Sequence, residues 1–129
     1  MKIVKCLIVD DEPPAIRLLE KYVSKVPFLE LIATTTSSLE ALSKIEEGNI
    51  DLVFMDIQMP EMDGYQATKL IQERAISCVP KIIALTANAT EEDRRKCIAA
   101  GMQDFISKPF QLERLVELLK KHGMGVVHA

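Results

Sequence analysis

The sequence lacks long apolar runs, clustered cysteines and any excess of positive charge, and each absence removes a class of function. Its longest apolar stretches, such as Cys6-Leu7-Ile8-Val9 and Ile82-Ile83-Ala84-Leu85, fall far short of the ~20 residues that a membrane-spanning helix needs. No membrane segment is expected. The start, Met1 to Lys5, leads within a few residues into Asp10-Asp11-Glu12 and has no h-region or cleavage site, so secretion is not expected either. Three cysteines, Cys6, Cys78 and Cys97, are odd in number and far apart, with no C-x-x-C pair or Cys/His cluster. They read as reduced thiols that pack, in a cytoplasmic protein. Sixteen Lys plus Arg against nineteen Asp plus Glu leave a net charge of −3. That balance speaks against an electrostatic grip on nucleic acid or anionic lipid. The 129 residues match one domain of roughly 100–150 residues and leave no room for a second of ordinary size.

Against these absences stands a regular alternation. Short apolar runs rich in Ile, Val, Leu and Phe read as strands: Val4 to Val9, Leu29 to Ala33, Leu52 to Met55, Lys81 to Leu85 and Asp104 to Ser107. Each is too short for a buried helix. Amphipathic stretches lie between them. The first follows Pro13-Pro14 and places Ile16, Leu19, Val23 and Val26 at helical spacing before Pro27, as proline at a helix start and beyond its end allows. Ser37-x-x-Glu40 reads as a capping box and Thr90-x-x-Asp93 as its acidic relative, with Gly48 and Gly101 at left-handed C-caps. A last helix from Gln111 to Lys121 carries Leu112, Leu115, Val116, Leu118 and Leu119 on one stripe. The run Glu91-Glu92-Asp93 followed by Arg94-Arg95-Lys96 suits a solvated helix face aligned with the macrodipole. His122 and His128 fall at an end expected to fray and are given no chemical role. Strands alternating with helices imply right-handed crossovers and a doubly wound α/β domain over residues 1–123, with 124–129 as a short tail.

In such sheets, ligands gather outside the carboxyl ends of the strands. Those ends carry Asp10-Asp11-Glu12, then Asp56, then Thr86, then Lys108-Pro109. Crowded carboxylates repel by roughly 1 to 4 kcal/mol per pair, depending on the dielectric, and so invite a hard cation with oxygen ligands, magnesium above all. A carboxylate can attack phosphorus, and phosphoryl transfer asks chiefly for positioning and charge neutralisation. Asp56, the acid on the central strand, is the candidate nucleophile; Asp10 and Asp11 are placed to hold metal; Lys108 and Thr86 can contact phosphoryl oxygens.

Four segments together resemble the receiver domains of two-component response regulators: Leu7 to Glu12, Asp51 to Gly64, Ile83 to Ala87, and Ser107-Lys108-Pro109-Phe110. The resemblance covers Lys2 to Lys121. It implies a flavodoxin-like (βα)5 three-layer sandwich with a parallel sheet in the order 2-1-3-4-5. It implies a bacterial cytoplasmic switch rather than an enzyme in its own right, one that supports its own phosphoryl transfer and slow self-dephosphorylation. Asp56 would accept a phosphoryl group from a sensor histidine kinase or a histidine phosphotransfer protein. Mg²⁺, with Mn²⁺ as a substitute, would be held by Asp10, Asp11, Asp56 and the Gln58 backbone carbonyl. Thr86 and Phe105 would form the switch, Phe105 standing where many relatives carry Tyr; Ala87, Gln58 and Asn88 would tune access and hydrolysis. The Lys108-Pro109 bond would be cis. The changed face, built by the fourth helix, fifth strand and fifth helix, would serve partners or a homodimer, with no direct nucleic-acid or membrane binding. The first third resembles receivers joined to LytTR-type DNA-binding domains, and the second half those of hybrid histidine kinases. Two other readings stay open: a constitutive interaction module, and a magnesium-dependent phosphatase, although the latter expects an acid where Gln58 stands.

Overall fold

The computed structural model describes residues 2–74, 79–87 and 90–124; Cys78, Asn88 and His128 lie outside them. Strands and helices alternate without exception: β1 (Val4–Val9), α1 (Pro13–Ser24), β2 (Leu29–Thr35), α2 (Ser38–Glu46), β3 (Leu52–Asp56), α3 (Gly64–Arg74), β4 (Lys81–Thr86), α4 (Glu91–Ala100), β5 (Asp104–Ser107) and α5 (Leu112–Lys121). The five strands form one sheet in the order β2-β1-β3-β4-β5, every neighbouring pair parallel. This is the order that the resemblance implied, on the doubly wound plan read from the alternation of strands and helices.

Alternation along each strand sends side chains to opposite faces, and both faces are covered. Cys6, Ile8, Phe54, Ile83, Leu85 and Ile106 pack with Leu19 and Val23 of α1 and Leu115 and Leu119 of α5. Leu7, Val9, Val53, Met55, Ile82 and Ala84 pack with Leu42 of α2, Ile71 of α3 and Cys97 of α4. The two layers explain why the strands read as continuous apolar runs. Cys6 and Cys97 are free and buried, and burial pushes the Cys6 thiol up to about 12, with Glu30 adding to it. These thiols pack, as expected.

Local signals set the ends of the elements. Pro13 and Pro14 occupy the first turn of α1, where their missing N–H groups would have had no partner. The helix stops at Ser24, before Val26, which is nonetheless buried. Ser37 caps α2 by accepting from the Glu40 N–H at 3.2 Å. The other arm of a capping box does not form: the Ser37 N–H donates to Thr35 Oγ1 at 3.0 Å, and Glu40 pairs with Lys44 at 3.8 Å. Thr90 caps α4 through the Asp93 N–H at 3.1 Å. Gly101 closes α4 with φ +101°, and the Met102 N–H reaches back to the Cys97 carbonyl at 2.9 Å while the Gly101 N–H meets Ile98 at 3.0 Å. That paired closure needs a left-handed residue, which glycine supplies without strain.

One expectation is corrected at the end of α5. His122 does not fray: its Nε2 lies 2.9 Å from Asp104 Oδ2, and Lys121 approaches the same oxygen at 3.2 Å. The helix C-terminus is thereby tied to the start of β5, because a nearby carboxylate rewards order that an isolated terminus lacks.

Among the described residues, no helix is long and apolar enough to cross a membrane.

Candidate functional site

Register builds the site. Val9 pairs with Met55, Asp56 with Leu85, and Thr86 with Ser107, so the residues just beyond those positions emerge side by side at the carboxyl edge. The loops are held by backbone bonds: the Asp10 N–H to Thr35 at 3.1 Å, Ile57 to Leu85 at 3.1 Å, and Lys108 to Thr86 at 2.7 Å. Two turns then lock the acids. The Glu12 N–H donates to Asp10 Oδ1 at 2.9 Å, and the Gln58 N–H to Asp56 Oδ1 at 3.2 Å. Gly64, at the start of α3, lies so close beneath β3 that an added Cβ would meet the Asp56 carbonyl oxygen at 2.7 Å. Only glycine lets α3 begin there.

The charges are unevenly matched. Ligand oxygens of Asp10, Asp11, Glu12 and Asp56 lie within 4.8 Å of one another. Asp10 is 0% exposed and Asp56 4%, whereas Asp11 and Glu12 are open to solvent. The Lys108 ammonium stands among them, 2.8 Å from Glu12, 2.9 Å from Asp10 and 3.6 Å from Asp56. Burial would lower the Lys108 pKa, but its hydrogen bond to Glu12 and its pairing with Asp10 and Asp56 outweigh that and hold it above its ordinary value. Asp56 rises as well, up to about 7 from 3.8, which for a carboxyl favours the neutral form: burial and the charge of Asp10 dominate, and contact with Asp11 adds, against the pull of Lys108 and the Gln58 N–H. The first cause is loss of water, the second like charge.

Of the residues singled out from sequence, Asp11, Asp56, Gln58, Thr86, Ala87 and Lys108 line one cleft of about 250 Å³. Asp10 sits beneath it. Thr86 is buried at the end of β4, and Ala87 is exposed at its mouth. Phe105 is not in the cleft: it is half-buried on β5, paired with Ala84 and packed against the α2–α4 side of the core. Asn88 lies outside the described residues. The Lys108–Pro109 bond is cis. Two participants were missed. Asp93 of α4 lines the cleft, although the sequence placed it on a solvated face. Glu12 was read only as one of three crowded acids, yet it grips Lys108; its place just ahead of two prolines was the available signal.

A divalent cation fits this donor set. Asp10 Oδ2 is buried and makes no directional hydrogen bond, although the Lys108 ammonium lies 2.9 Å away as an ion pair. A buried carboxylate oxygen with spare acceptor capacity, beside three more acids, is what a hard oxygen-seeking ion requires.

A parallel doubly wound sheet whose carboxyl edge holds crowded acids, a threonine and a lysine defines the class: a phosphoacceptor domain of the two-component type. Residues 6–120 match the response regulator receiver domain, and the chain belongs to that family. It is 41% identical over 96% of its length to hybrid signal transduction histidine kinase L of Dictyostelium discoideum, of which it spans 8%. It is 31% identical to the receiver domain of sensor histidine kinase PA1611 from Pseudomonas aeruginosa, with TM-score 0.80 and coverage of 92% and 96%; that structure holds magnesium in its active-site cleft. The receiver domain of Ssk1 from Saccharomyces cerevisiae, solved with the histidine phosphotransfer protein Ypd1, is 27% identical with TM-score 0.79 and coverage of 93% and 88%. Receiver domains are switch domains of phosphorelays, paired with kinases or phosphotransfer proteins. These organisms are not all bacteria, so kinship does not carry the bacterial source expected above.

Proposed function

We propose that this chain is a phosphorylation-dependent switch whose Asp56 takes a phosphoryl group from a phosphohistidine of a sensor kinase or phosphotransfer protein. The observation that carries this reading is Asp56 itself, 4% exposed at the floor of an acid-lined cleft with Lys108 at 3.6 Å. An Asp56 oxygen bonds to phosphorus as the donor's P–N bond breaks, and the imidazole leaves with the electron pair. Lys108 and the Thr86 hydroxyl receive the transferred oxygens. Asp10, Asp11, Asp56 and the Gln58 carbonyl would hold Mg²⁺, or Mn²⁺ in its place. When bound, the ion supplies positive charge for the phosphoryl oxygens and relieves the crowding of acids.

Water returns Asp56 to a free carboxylate in a slow reaction that Gln58, Ala87 and Asn88 tune. The switch runs through Thr86 and Phe105 to the face of α4, β5 and α5. There Phe105 borders a groove of about 180 Å³ with Arg114, Leu118 and Lys121, the surface for an output partner or a second copy. The setting is cytoplasmic, and nucleic acid is left to an output module.

Incubation with acetyl phosphate and Mg²⁺, followed by peptide mapping, should place an acid-stable, base-labile phosphoryl group on Asp56. Asp56→Asn should take up none. Folded wild type that stays unmodified, or label on another residue, would overturn the reading.

A further inference from the structure

We propose that Glu12 is a displaceable latch on Lys108, a positioning residue that slows uptake of the phosphoryl group. The inference rests on the function proposed above. Glu12 occupies the N-cap position of α1 yet makes no capping bond. Pro13 and Pro14 offer no N–H to cap, and the first two donors of the helix, Ala15 and Ile16, are already met by the Glu12 carbonyl at 3.0 and 3.2 Å. The side chain is therefore free for another task, and it spans to Lys108 at 2.8 Å, closer than Asp56 at 3.6 Å.

A phosphoryl group on Asp56 would set its own oxygens against the two carboxylates that now hold the ammonium, and the one more easily released would yield. These two partners are not equal. Asp10 is 0% exposed at the side chain, and leaving it unpaired strands a buried charge. The Glu12 side chain is 63% exposed, so water takes over when it lets go. Glu12 is the partner released. Until then it competes with the phosphoryl group for Lys108 and sets a negative charge at the entrance used by an anionic donor.

The test follows acyl phosphate formation on Asp56 from acetyl phosphate at saturating Mg²⁺; the bond from phosphorus to the donor's acetate oxygen breaks and acetate departs. Glu12→Gln should raise the rate about threefold to fivefold, the factor to which an exposed ion pair converts, while Mg²⁺ affinity holds or falls. Glu12→Asp, with the charge kept and the arm shortened, should fall between. Asp93→Asn shows what removing a charge alone does, since Asp93 lines the same cleft with no ion pair to Lys108 among the described residues, and its rise should be smaller than that of Glu12→Gln. A rate at or below wild type in folded Glu12→Gln would overturn the latch, and so would an equal rise in Asp93→Asn. Wild type that takes no phosphoryl group at all would instead overturn the assignment of the site.

Discussion

Asp56 closes β3 and Asp104 opens β5, two register positions apart across β4, and their surroundings are opposite. At the carboxyl edge, four acids gather within 4.8 Å around Lys108, and the Asp56 carboxyl rises to about 7. At the start of β5, one acid is served by several donors. Asp104 receives the Phe105 N–H at 2.8 Å, His122 at 2.9 Å and Lys121 at 3.2 Å. Burial alone would raise its pKa, but these partners outweigh it and hold Asp104 below its ordinary value. The start of β5 is balanced and ties α5 to the sheet; the carboxyl edge is charged against itself. Stability and function fall to different strand termini of one sheet, and the crowded one is the one with chemistry to do.

That separation can be broken from either end. The largest effect is expected from Gly64→Ala, whose new Cβ would press on the Asp56 carbonyl at 2.7 Å and the Ile57 Cα at 2.9 Å. Backbone atoms cannot swing aside as a flexible side chain can, so the variant should lose about 3 kcal/mol in denaturant unfolding. It should also slow phosphorylation by displacing Asp56. At the start of β5, Asp104→Ala should cost only about 1 kcal/mol, since its partners are partly solvated, and should leave phosphorylation at Asp56 unchanged. Because the folded pKa of Asp104 is depressed from 3.8, its contribution is present above pH ~4 and is lost as pH falls through the folded value. Equal phosphorylation defects in both variants would erase the distinction between the two sites.

The sheet was legible from sequence because its strands are apolar on both faces; Val4–Val9 and Asp104–Ser107 match residue for residue. Three strands run further than their apolar runs. Thr34 and Thr35 continue β2, Asp56 closes β3 and Thr86 closes β4, since ladder bonds do not stop where side chains turn polar. Helix α3 left a weak trace because its buried face is Gly64, Ala67, Thr68 and Ile71, two of them small and one polar. Thr68 is hidden because its hydroxyl donates to the Gly64 carbonyl at 2.7 Å. The convergence of Asp10, Asp11, Asp56, Thr86 and Lys108 followed from strand ends alone. The grip of Glu12 on Lys108 spans 96 positions and that of His122 on Asp104 spans 18. Pairings of that kind are set by how α1 and α5 dock on the sheet, which periodicity does not encode.

The claim that the carboxyl edge is charged against itself is tested most directly by unfolding free energy against pH in magnesium-free buffer, for wild type and Asp56→Asn. The folded carboxyl, raised to about 7, favours the folded state below pH ~4, and that contribution is lost as pH climbs toward 7 and is constant above. Asp56→Asn should therefore gain on wild type by about 2 to 4 kcal/mol between pH 4 and pH 8, and added Mg²⁺ should return much of the difference to wild type. Parallel profiles for the two proteins, with no response to Mg²⁺, would contradict the account.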